Sequence, residues 1–300
     1  DVLVIDETSM LDLLLADSLF KAIESGTKVI LVGDFKQLKS VGAGNVFMDI
    51  INSDKIKVVT LDVPKRQNLL SGINKNANKI IDYQMIETCQ DTGDAYLMLN
   101  DTSEGIKSMV IKSFDRLLDK GFAFEEIQVL SPIKKGVVGV DYMNYLLQSH
   151  FNGGNLSNTI LNKVISVKIN EEDTESTQIN LMFKQGDKVI HTQNNYKAIW
   201  LDKKNGFYVE KLDKYGEPIS VITNGECGVI ESIDRNTVIV KYEQGYMQYS
   251  KGEKEEGVAD LKELDHAYAL TVHKSQGSQW KAVIMPICSE AYILLNNNLF

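Results

Sequence analysis

Cysteine and long apolar runs are scarce in this sequence. Its 300 residues contain three cysteines, Cys89, Cys227 and Cys288, which are odd in number, far apart and without the spacing of a zinc site. They are typical of reduced thiols packed in the core of a cytoplasmic protein. No apolar run approaches the ~18 residues of a membrane-spanning helix. These absences argue against a disulfide scaffold and against a membrane partner.

Positive charge is also in short supply. The chain has 32 Lys and Arg residues against 41 Asp and Glu residues, which gives a net charge of −9. This balance disfavours a protein that holds nucleic acid by a broad basic face, although it allows a local basic groove. With 43% hydrophobic and 24% charged residues, the composition is that of an ordinary globular protein.

The two ends of the chain lie within apolar patterns. There is no initiator Met, and four consecutive apolar residues from Val2 predict a strand buried on both faces. The other end stops within 293–300, again in an apolar pattern. At roughly 150 residues per domain the length predicts two domains. We expect the chain to be a fragment of a longer protein.

Strand and helix signals alternate near the start. A strand from Val2, a helix over 13–23 closed by Gly26 and a strand over 28–32 form half of a doubly wound parallel sheet. Ligands of such sheets bind beyond the carboxyl ends of the strands. Asp6-Glu7 and Gly33-Asp34 follow these two strands, so we expect them on one rim of the sheet.

The later pattern predicts a β-insert inside a second α/β region. Helices are predicted over 69–83, 103–120 and 140–148, a strand over 127–130, and a linker or mobile loop over 152–178. Short strands suggesting a small barrel follow over 186–191, 206–209, 227–230, 237–242 and 245–249. Buried α/β strands return over 268–271 and 282–286.

Acidic and amide side chains at the first two strand ends carry the predicted chemistry. Phosphoryl transfer needs a hard oxygen ligand near Mg²⁺ and a second group that orients or deprotonates the attacking water, roles that suit Asp6 and Glu7. Asp34 and Gln37 occupy the next exit loop, where an amide can sense phosphate without adding charge. The alternative for Asp6 and Glu7 is a surface turn with two solvated acids, and the alternative for the second loop is a set of ordinary glycine turns.

These blocks resemble the motifs of superfamily 1 helicases, and the branch they resemble is superfamily 1B, the RecD-like or exodeoxyribonuclease V alpha-subunit family. The similar segments are Asp6–Met10 and Gly33–Gly42 for motifs II and III, Pro64–Gln67 for motif IV, Tyr268–Ser278 for motif V, and the branch patterns Ser131–Gly136, Gln193–Tyr196 and Asn224-Gly225. The matches run in family order from residue 1 to about residue 300.

The resemblance implies an α/β fold of RecA-like P-loop NTPase domains, each a parallel sheet with flanking helices, carrying an inserted small SH3-like β-barrel. The implied domains are 1–62 (the end of the first RecA-like domain), 63–182 with 263–300 (the second), and 183–262 (the insert). The implied function is an ATP-dependent DNA helicase or translocase motor, 5′→3′ on single-stranded DNA, in recombination or repair. It implies ATP and Mg²⁺ as cofactors, single-stranded or forked DNA and subunits of a nuclease complex as partners, and the bacterial cytoplasm as location.

The resemblance also assigns nucleotide-binding and catalytic roles. Asp6 would hold Mg²⁺ through its water shell, Glu7 would activate the hydrolytic water, and Gln37 would sense the γ-phosphate. Arg66 would reach that phosphate with a fork of N–H donors, or form a surface salt bridge instead. The candidate cofactor-binding residues are Asp6, Asp34 and Gln279, the last standing where family members carry Glu at a ribose contact.

The candidate DNA-binding residues are Thr271, His273, Lys274, Ser275, Lys134, Asn195 and Tyr196. Contacts of motif V with backbone phosphates would position DNA without reading its sequence. A structural histidine is the alternative for His273, and turn formation is the alternative for Asn195 and Tyr196. Trp200 and Tyr208 fit either bases stacked on exposed rings or rings packed in the insert.

Two family motifs have no counterpart in the sequence. No phosphate-binding loop ending in Gly-Lys-Thr or Gly-Lys-Ser occurs, and a Thr-Arg motif VI would begin only after Phe300. We therefore expect these residues alone to be inactive. Two alternatives remain open: a non-catalytic nucleic-acid-binding module derived from a helicase, and a metal-dependent nuclease built on Asp6, Glu7 and Asp34, in which Gln37 has no role.

Overall fold

The computed structural model describes residues 1–61, 71–88, 92–154, 158–167, 175–252 and 256–291. These residues form two compact units, the first ending at Leu99 and the second starting at Asn100. Arg66, with the rest of Pro64–Gln67, and Cys89 lie outside the described residues. Across the described ranges no helix has both the length and the apolar character needed to cross a bilayer.

The first unit contains the predicted strand–helix–strand. Strands β1 (Val2–Ile5) and β2 (Lys28–Leu31) pair in parallel, with Val2 opposite Lys28 and Ile5 opposite Leu31. The helices of this unit are α1 (Leu13–Ala22), α2 (Val46–Asn52) and α3 (Gly72–Ile81). Asp12 caps α1, because its Oδ1 accepts a hydrogen bond from the amide of Leu15 at 2.8 Å. The order of elements confirms the α/β prediction.

The prediction that the first strand is buried on both faces is wrong for the described residues. Val2 and Val4 are 60% and 58% exposed, and alternate residues of β2 are exposed in the same way. Burial of both faces requires layers above and below a sheet. Here β1 has β2 as its strand partner, and this two-stranded sheet leaves the side chains of Val2 and Val4 open to solvent.

The second unit combines a parallel sheet with a large antiparallel one. Its helices are α4 (Ser103–Asp119) and α5 (Val140–Asn152). Its strands are β3 (Ile127–Ser131), β4 (Ile160–Val167), β5 (Thr177–Phe183), β6 (Lys188–His191), β7 (Asn195–Ile199), β8 (Leu201–Lys204), β9 (Phe207–Glu210), β10 (Ser220–Ile222), β11 (Cys227–Asp234), β12 (Thr237–Lys241), β13 (Tyr246–Ser250), β14 (Ala259–Asp260), β15 (Leu264–His266), β16 (Ala269–Thr271) and β17 (Ala282–Ile284).

The α/β part of the second unit is built around β3. This strand lies between β16 and β17, is parallel to both, and is buried along its whole length. Residues of α4, α5 and the sheet form one apolar core that includes Phe114, Val129 and Met143, each 0% exposed. The chain leaves the sheet after β3 and returns to it at β16, which confirms that a β-rich segment is inserted in an α/β unit.

The predicted linker over 152–178 contains a strand that sequence analysis missed. Strand β4 pairs antiparallel with β5, with Ile165 opposite Ile179 and Ile160 opposite Phe183. Buried apolar side chains line one face of this ribbon, and those of Ile165 and Phe183 enter two different cores of the unit. The β-branched residues Ile160, Val164, Ile165 and Val167 are the signal that could have identified β4.

The insert is an open sheet in the described residues. Its strands follow the order β15-β6-β11-β12-β13-β8-β9, with β14 paired to β13, while β7 and β10 form a separate antiparallel pair. The predicted closure into a barrel is not found among the residues described. The strands predicted after residue 186 are present, and they enclose a core that includes Trp200, Tyr249 and Ile222, each less than 2% exposed.

A buried lysine joins the insert to the parallel sheet. Lys188 Nζ donates to the carbonyl of Ile127 at 2.8 Å and to Gln128 Oε1 at 3.2 Å. Burial lowers the pKa of Lys188 to about 8. The buried ammonium group of Lys188 therefore anchors the first residue of β6 to β3 and links the two sheets.

Candidate functional site

Asp6 and Glu7 leave the carboxyl end of β1 in an unusual backbone conformation. Asp6 Oδ1 accepts a hydrogen bond from the amide of Glu7 at 2.8 Å. Glu7 itself has φ 52° and ψ 36°, the left-handed region that non-glycine residues seldom adopt. Such strain costs of order 1–3 kcal/mol and clusters at functional sites. Both carboxylates are exposed at this edge.

The exit loops of β1 and β2 are tied together beyond the strands. The amide of Thr8 donates to the carbonyl of Val32 at 2.9 Å. Gly33 follows Val32 and faces the first loop. A Cβ at this position would lie 3.1 Å from the amide nitrogens of Thr8 and Ser9 and 3.2 Å from the Phe47 ring. A side chain at position 33 would therefore crowd the two loops where they approach each other.

Asp34 and Gln37 lie in the second exit loop and contact each other. Asp34 Oδ1 accepts from the amide of Lys36 at 2.9 Å, and Asp34 Oδ2 accepts from Gln37 Nε2 at 3.2 Å. The backbone amide of Gln37 donates to the carbonyl of Asp34 at 3.2 Å. The structure thus brings Asp6, Glu7, Asp34 and Gln37 to the adjacent carboxyl ends of two parallel strands, which we call the carboxylate rim.

The carboxylate rim suits a magnesium ion bound with a phosphate ligand. Among the described residues, no group of three His, Cys, Asp or Glu side chains is close enough to enclose a metal ion. Mg²⁺ seldom uses an all-protein cage, and it is usually held by one or two carboxylates with waters and substrate phosphates. The exposed carboxylate of Asp6 fits that kind of site, in which the ion would neutralise phosphate charge.

A second pair of strand ends carries the motif V residues. Thr271 ends β16 opposite Ser131, the last residue of β3, and the amide of Val272 donates to the Ser131 carbonyl at 3.3 Å. Thr271 Oγ1 accepts from the amide of Lys274 at 3.2 Å, and Ser275 Oγ donates to the carbonyl of Val272 at 2.8 Å. These bonds fold 271–275 into a tight turn.

The Ser131–Gly139 loop faces the same end of the sheet. Ser131 is buried and donates to the carbonyl of Val138 at 2.9 Å, so its role is to shape this loop. At Gly139 a Cβ would lie 2.6 Å from the Lys135 carbonyl oxygen and 2.8 Å from that of Lys134. The loop is therefore compact, and it presents the exposed side chain of Lys134.

Lys134 and Lys274 belong to a charged cluster that includes a residue missed by sequence analysis. Burial lowers the pKa of Lys274, Asp265 opposes that shift, and the ammonium groups of Lys134 and Lys163 lower the pKa further. Lys163 lies on β4 and pairs with Asp141 and Asp265. No sequence motif marks Lys163, because its neighbours come from distant parts of the chain.

The remaining candidates are dispersed in the second unit. Asn195 Nδ2 donates to Glu263 Oε2 at 2.8 Å and its Oδ1 accepts from the amides of Lys197 and Ala198, which favours the turn-forming alternative. Tyr196 is 67% exposed. His273 is partly buried, and Gln279 is exposed in the loop before β17.

The two uncertain rings of the insert differ in their environment. Trp200 is 1% exposed and its Nε1 donates to the carbonyl of Val221 at 2.9 Å, so it is a core residue and offers no stacking face. Tyr208 is partly exposed and packs against Tyr246 with ring centroids 5.2 Å apart. The expectation of core-packed cysteines holds for Cys288 and is wrong for Cys227, which is exposed.

A buried polar network underlies the second site. Asp187, 0% exposed, accepts from Tyr268 Oη and Asn152 Nδ2, both at 2.8 Å, and from Gln148 Nε2 at 2.6 Å. His266 Nε2 lies 3.2 Å from Asp187 Oδ2, the oxygen that accepts from Gln148. A buried carboxylate needs this number of donors to offset lost hydration. The network fixes the segment that enters β16.

Known protein families match both the N-terminal and the C-terminal part of this chain. A family model described as the AAA domain matches residues 1–94, and one described as the UvrD-like helicase C-terminal domain matches residues 266–300. An ATP-dependent RecD2 DNA helicase of Deinococcus radiodurans is 27% identical over 100% of this chain. A RecBCD enzyme subunit RecD of Buchnera aphidicola is 25% identical, also over 100% of this chain. Over its full length the chain is similar to RecD and RecD2 helicases.

The chain spans about a third to a half of the length of those relatives, 34% of the Deinococcus protein and 50% of the Buchnera subunit. Among solved structures, Bacteroides Pif1 helicase in complex with ADP-AlF3 and ssDNA matches 98% of this chain and 67% of its own, with a TM-score of 0.49 and 18% identity. Bacteroides Pif1 bound to ssDNA matches 99% and 68%, with a TM-score of 0.48 and 17% identity.

Proposed function

We propose that this chain is part of an ATP-dependent DNA helicase or translocase motor. The observation that carries the proposal is the carboxylate rim, where two adjacent parallel strands deliver Asp6, Glu7, Asp34 and Gln37 to one edge and Glu7 is held in a strained left-handed conformation. Strain of this kind persists where function requires a fixed direction for a side chain.

Each residue of the carboxylate rim has a distinct proposed task. Asp6 would contact Mg²⁺ through water, and Glu7 would accept a proton from the water that attacks the γ-phosphate. The hydrogen bond between Asp34 and Gln37 would orient the Gln37 amide for contact with a phosphate oxygen. Arg66 and Gln279 stay predictions for the γ-phosphate and the ribose.

DNA is proposed to bind at the carboxyl ends of β3 and β16. The turn 271–275 offers hydroxyl and amide groups, and Lys134 and Lys274 offer ammonium groups with no ion pair among the described residues. A site made of such groups contacts phosphates and does not distinguish bases. Exposed Tyr196 is proposed to stack on a base, with Asn195 holding its turn, and His273 is proposed to contact the backbone.

The finer parts of the proposal rest on the family resemblance. They are the 5′→3′ direction, a role in recombination or repair, forked DNA and nuclease-complex subunits as partners, a bacterial cytoplasmic setting, and the domain boundaries 1–62, 63–182 with 263–300, and 183–262. The antiparallel strands of the insert support its assignment as an SH3-like domain.

ATP turnover by the intact protein tests the proposal. We expect ATP hydrolysis that rises on addition of single-stranded DNA, and a fall in kcat of at least about 100-fold in Glu7→Gln, since loss of a general base has effects of that size. ATP binding, measured by equilibrium titration, should be retained. Glu24→Gln is the matched control, because Glu24 is exposed and precedes the opposite end of β2.

Three results would count against the proposal. Unchanged turnover in Glu7→Gln would contradict the role of the carboxylate rim. DNA binding by an intact protein that does not hydrolyse ATP would support the non-catalytic binding module, whereas Mg²⁺-dependent DNA cleavage without ATP would support the nuclease.

A further inference from the structure

Lys163 lies at the junction of three segments of the second unit. Its Nζ is 2.9 Å from Asp141 Oδ1 and 2.9 Å from each carboxylate oxygen of Asp265. The three side chains are 26%, 10% and 25% exposed, respectively. Asp265 Oδ1 also accepts from Asn162 Nδ2 at 3.1 Å. One ammonium group on β4 therefore bridges two carboxylates on other elements.

Both carboxylates border the loops assigned to DNA. Asp141 stands in the first turn of α5, and its amide donates to the carbonyl of Lys134 at 3.0 Å. Asp265 lies on β15, from which the chain passes directly into β16 and Thr271. Lys163 thus fastens the end of the Lys134 loop to the segment that leads to Lys274.

Lys163 gives this cluster its net positive charge. Lys134, Lys163 and Lys274 supply three positive charges against two from Asp141 and Asp265. Burial alone would lower the pKa of Lys163, but Asp265 and Asp141 outweigh it and raise that pKa above its ordinary value. Burial alone would raise the pKa of Asp265, yet Lys163 lowers it. The pairing therefore stays charged at neutral pH.

We propose that Lys163 is a positioning residue of the DNA site. It offsets the negative charge of Asp141 and Asp265, which weakens their repulsion of the phosphodiester backbone, and it holds together the loops that carry Lys134 and Lys274. This inference rests on the proposed function. It predicts that Lys163 affects DNA affinity without contacting DNA, because its ammonium group already lies 2.9 Å from each of three carboxylate oxygens.

The test is the affinity of the intact protein for labelled oligothymidylate across a series of salt concentrations. Lys163→Met should weaken binding about tenfold, as expected when two uncompensated carboxylates face the phosphates. Lys163→Arg, which can still pair with both, should bind like the wild type. Lys112→Met is the matched control, since it removes an exposed lysine of α4 and should change affinity by less than about twofold.

A triple variant separates positioning from direct contact. Lys163→Met combined with Asp141→Asn and Asp265→Asn removes the two carboxylates together with the lysine, so that no uncompensated acid remains, and should restore at least wild-type affinity with wild-type salt dependence. If Lys163 touches a phosphate, the slope of log affinity against log salt should instead fall by about one in the triple variant, which would overturn the inference. Thermal unfolding of each variant verifies that it is folded.

The remaining outcomes distinguish this inference from the proposed function. If the wild type binds and Lys274→Ala weakens binding, but Lys163→Met behaves like Lys112→Met, the inference is wrong and the proposed function stands. If Lys163→Met does not fold, a loss of affinity in Lys163→Arg would overturn the inference, and wild-type affinity would support it. If the wild type does not bind the oligonucleotide, the DNA part of the proposed function fails and the inference fails with it.

Discussion

Strands β1 and β3 have similar sequences and topological roles but different surroundings. Each is a short apolar strand in a parallel sheet, and each ends in a loop that carries candidate functional groups. Every residue of β3 is buried between two parallel strands, whereas Val2 and Val4 of β1 are more than half exposed. An apolar run therefore specifies a strand, and its neighbours specify whether that strand is buried.

The same contrast extends to the helices and the polar groups. In the first unit α1 exposes Leu13, Leu14 and Leu15 by 59%, 81% and 58%. In the second unit the helices pack on the sheet, and buried polar groups such as Asp187 are enclosed by donors. Packing has to be dense before a carboxylate can be buried and satisfied in this way.

The largest expected difference concerns one phenylalanine in each unit. Phe114 of α4 is 0% exposed, with ring centroids 4.6 Å from Phe151 and 5.3 Å from Phe124. Phe114→Ala should lower the free energy of unfolding of its unit by about 3–5 kcal/mol. Phe20→Ala in α1, where Phe20 is 44% exposed, should cost less than about 1 kcal/mol.

Hydrogen exchange of the intact protein, followed separately for each unit, measures both values. An equal loss of unfolding free energy in Phe114→Ala and Phe20→Ala would contradict the difference in packing between the two units. Phe20 would then have to be covered by a part of the protein outside the described residues.

A buried histidine should make the second unit sensitive to acid. All four histidines lie between residues 150 and 273, so the first unit has none. His191 is 0% exposed, its Nδ1 is 3.0 Å from Tyr249 Oη, and its Nε2 is 3.8 Å from Glu263 Oε2. Burial lowers the pKa of His191 to about 4. Between the ordinary pKa of histidine and about pH 4, His191 is therefore protonated in the unfolded chain and neutral in the folded chain.

Stability should therefore fall as pH drops from about 6.5 towards 4, by at most about 3 kcal/mol from this group. His191→Gln, which retains an acceptor for Tyr249, should lose that component while leaving stability above pH 7 less affected. Denaturant unfolding of both proteins at several pH values gives the difference. Parallel pH curves for the wild type and His191→Gln would contradict the role of burial.

The smallest expected effect lies in the strained residue of the carboxylate rim. Glu7→Gly should raise the stability of the first unit by up to about 1 kcal/mol, because glycine adopts φ 52° without strain. The same variant should abolish ATP turnover in the intact protein. Tyr83→Gly is the control, since Tyr83 has φ 58° and is 88% exposed. It should gain similar stability and keep full turnover, and a loss of stability in both variants would argue against the strain.

Much of the element order could be predicted because the signals are local. The helix capped by Asp12, the strand over Ile127–Ser131 and the strands after Gly186 all follow from periodicity and turn residues. Strand β4 was missed because the polar residues around it dominate that part of the sequence. Closure of the insert into a barrel was predicted and is not found in the described residues, because closure depends on pairing between distant strands that local patterns do not specify.

In the candidate sites, too, local patterns identified some residues and distant neighbours decided the others. Asp6, Glu7, Asp34 and Gln37 were identified because strand ends in a parallel sheet share one edge. Lys163 was missed because the pattern around it carries no sign of Asp141 or Asp265, which lie 22 residues before it and 102 residues after it. Trp200 could be either a core ring or a stacking ring until its surroundings were known.

By itself, the sequence determined which segments become strands and helices and which chemical groups follow them, because dihedral preferences, capping and periodicity act over a few residues. Only the tertiary structure decided that Val2 and Val4 are exposed, that Trp200 is buried, and that Lys163 bridges two acids. Burial and ion pairing depend on what packs against a residue, and in this protein those neighbours come from distant parts of the chain.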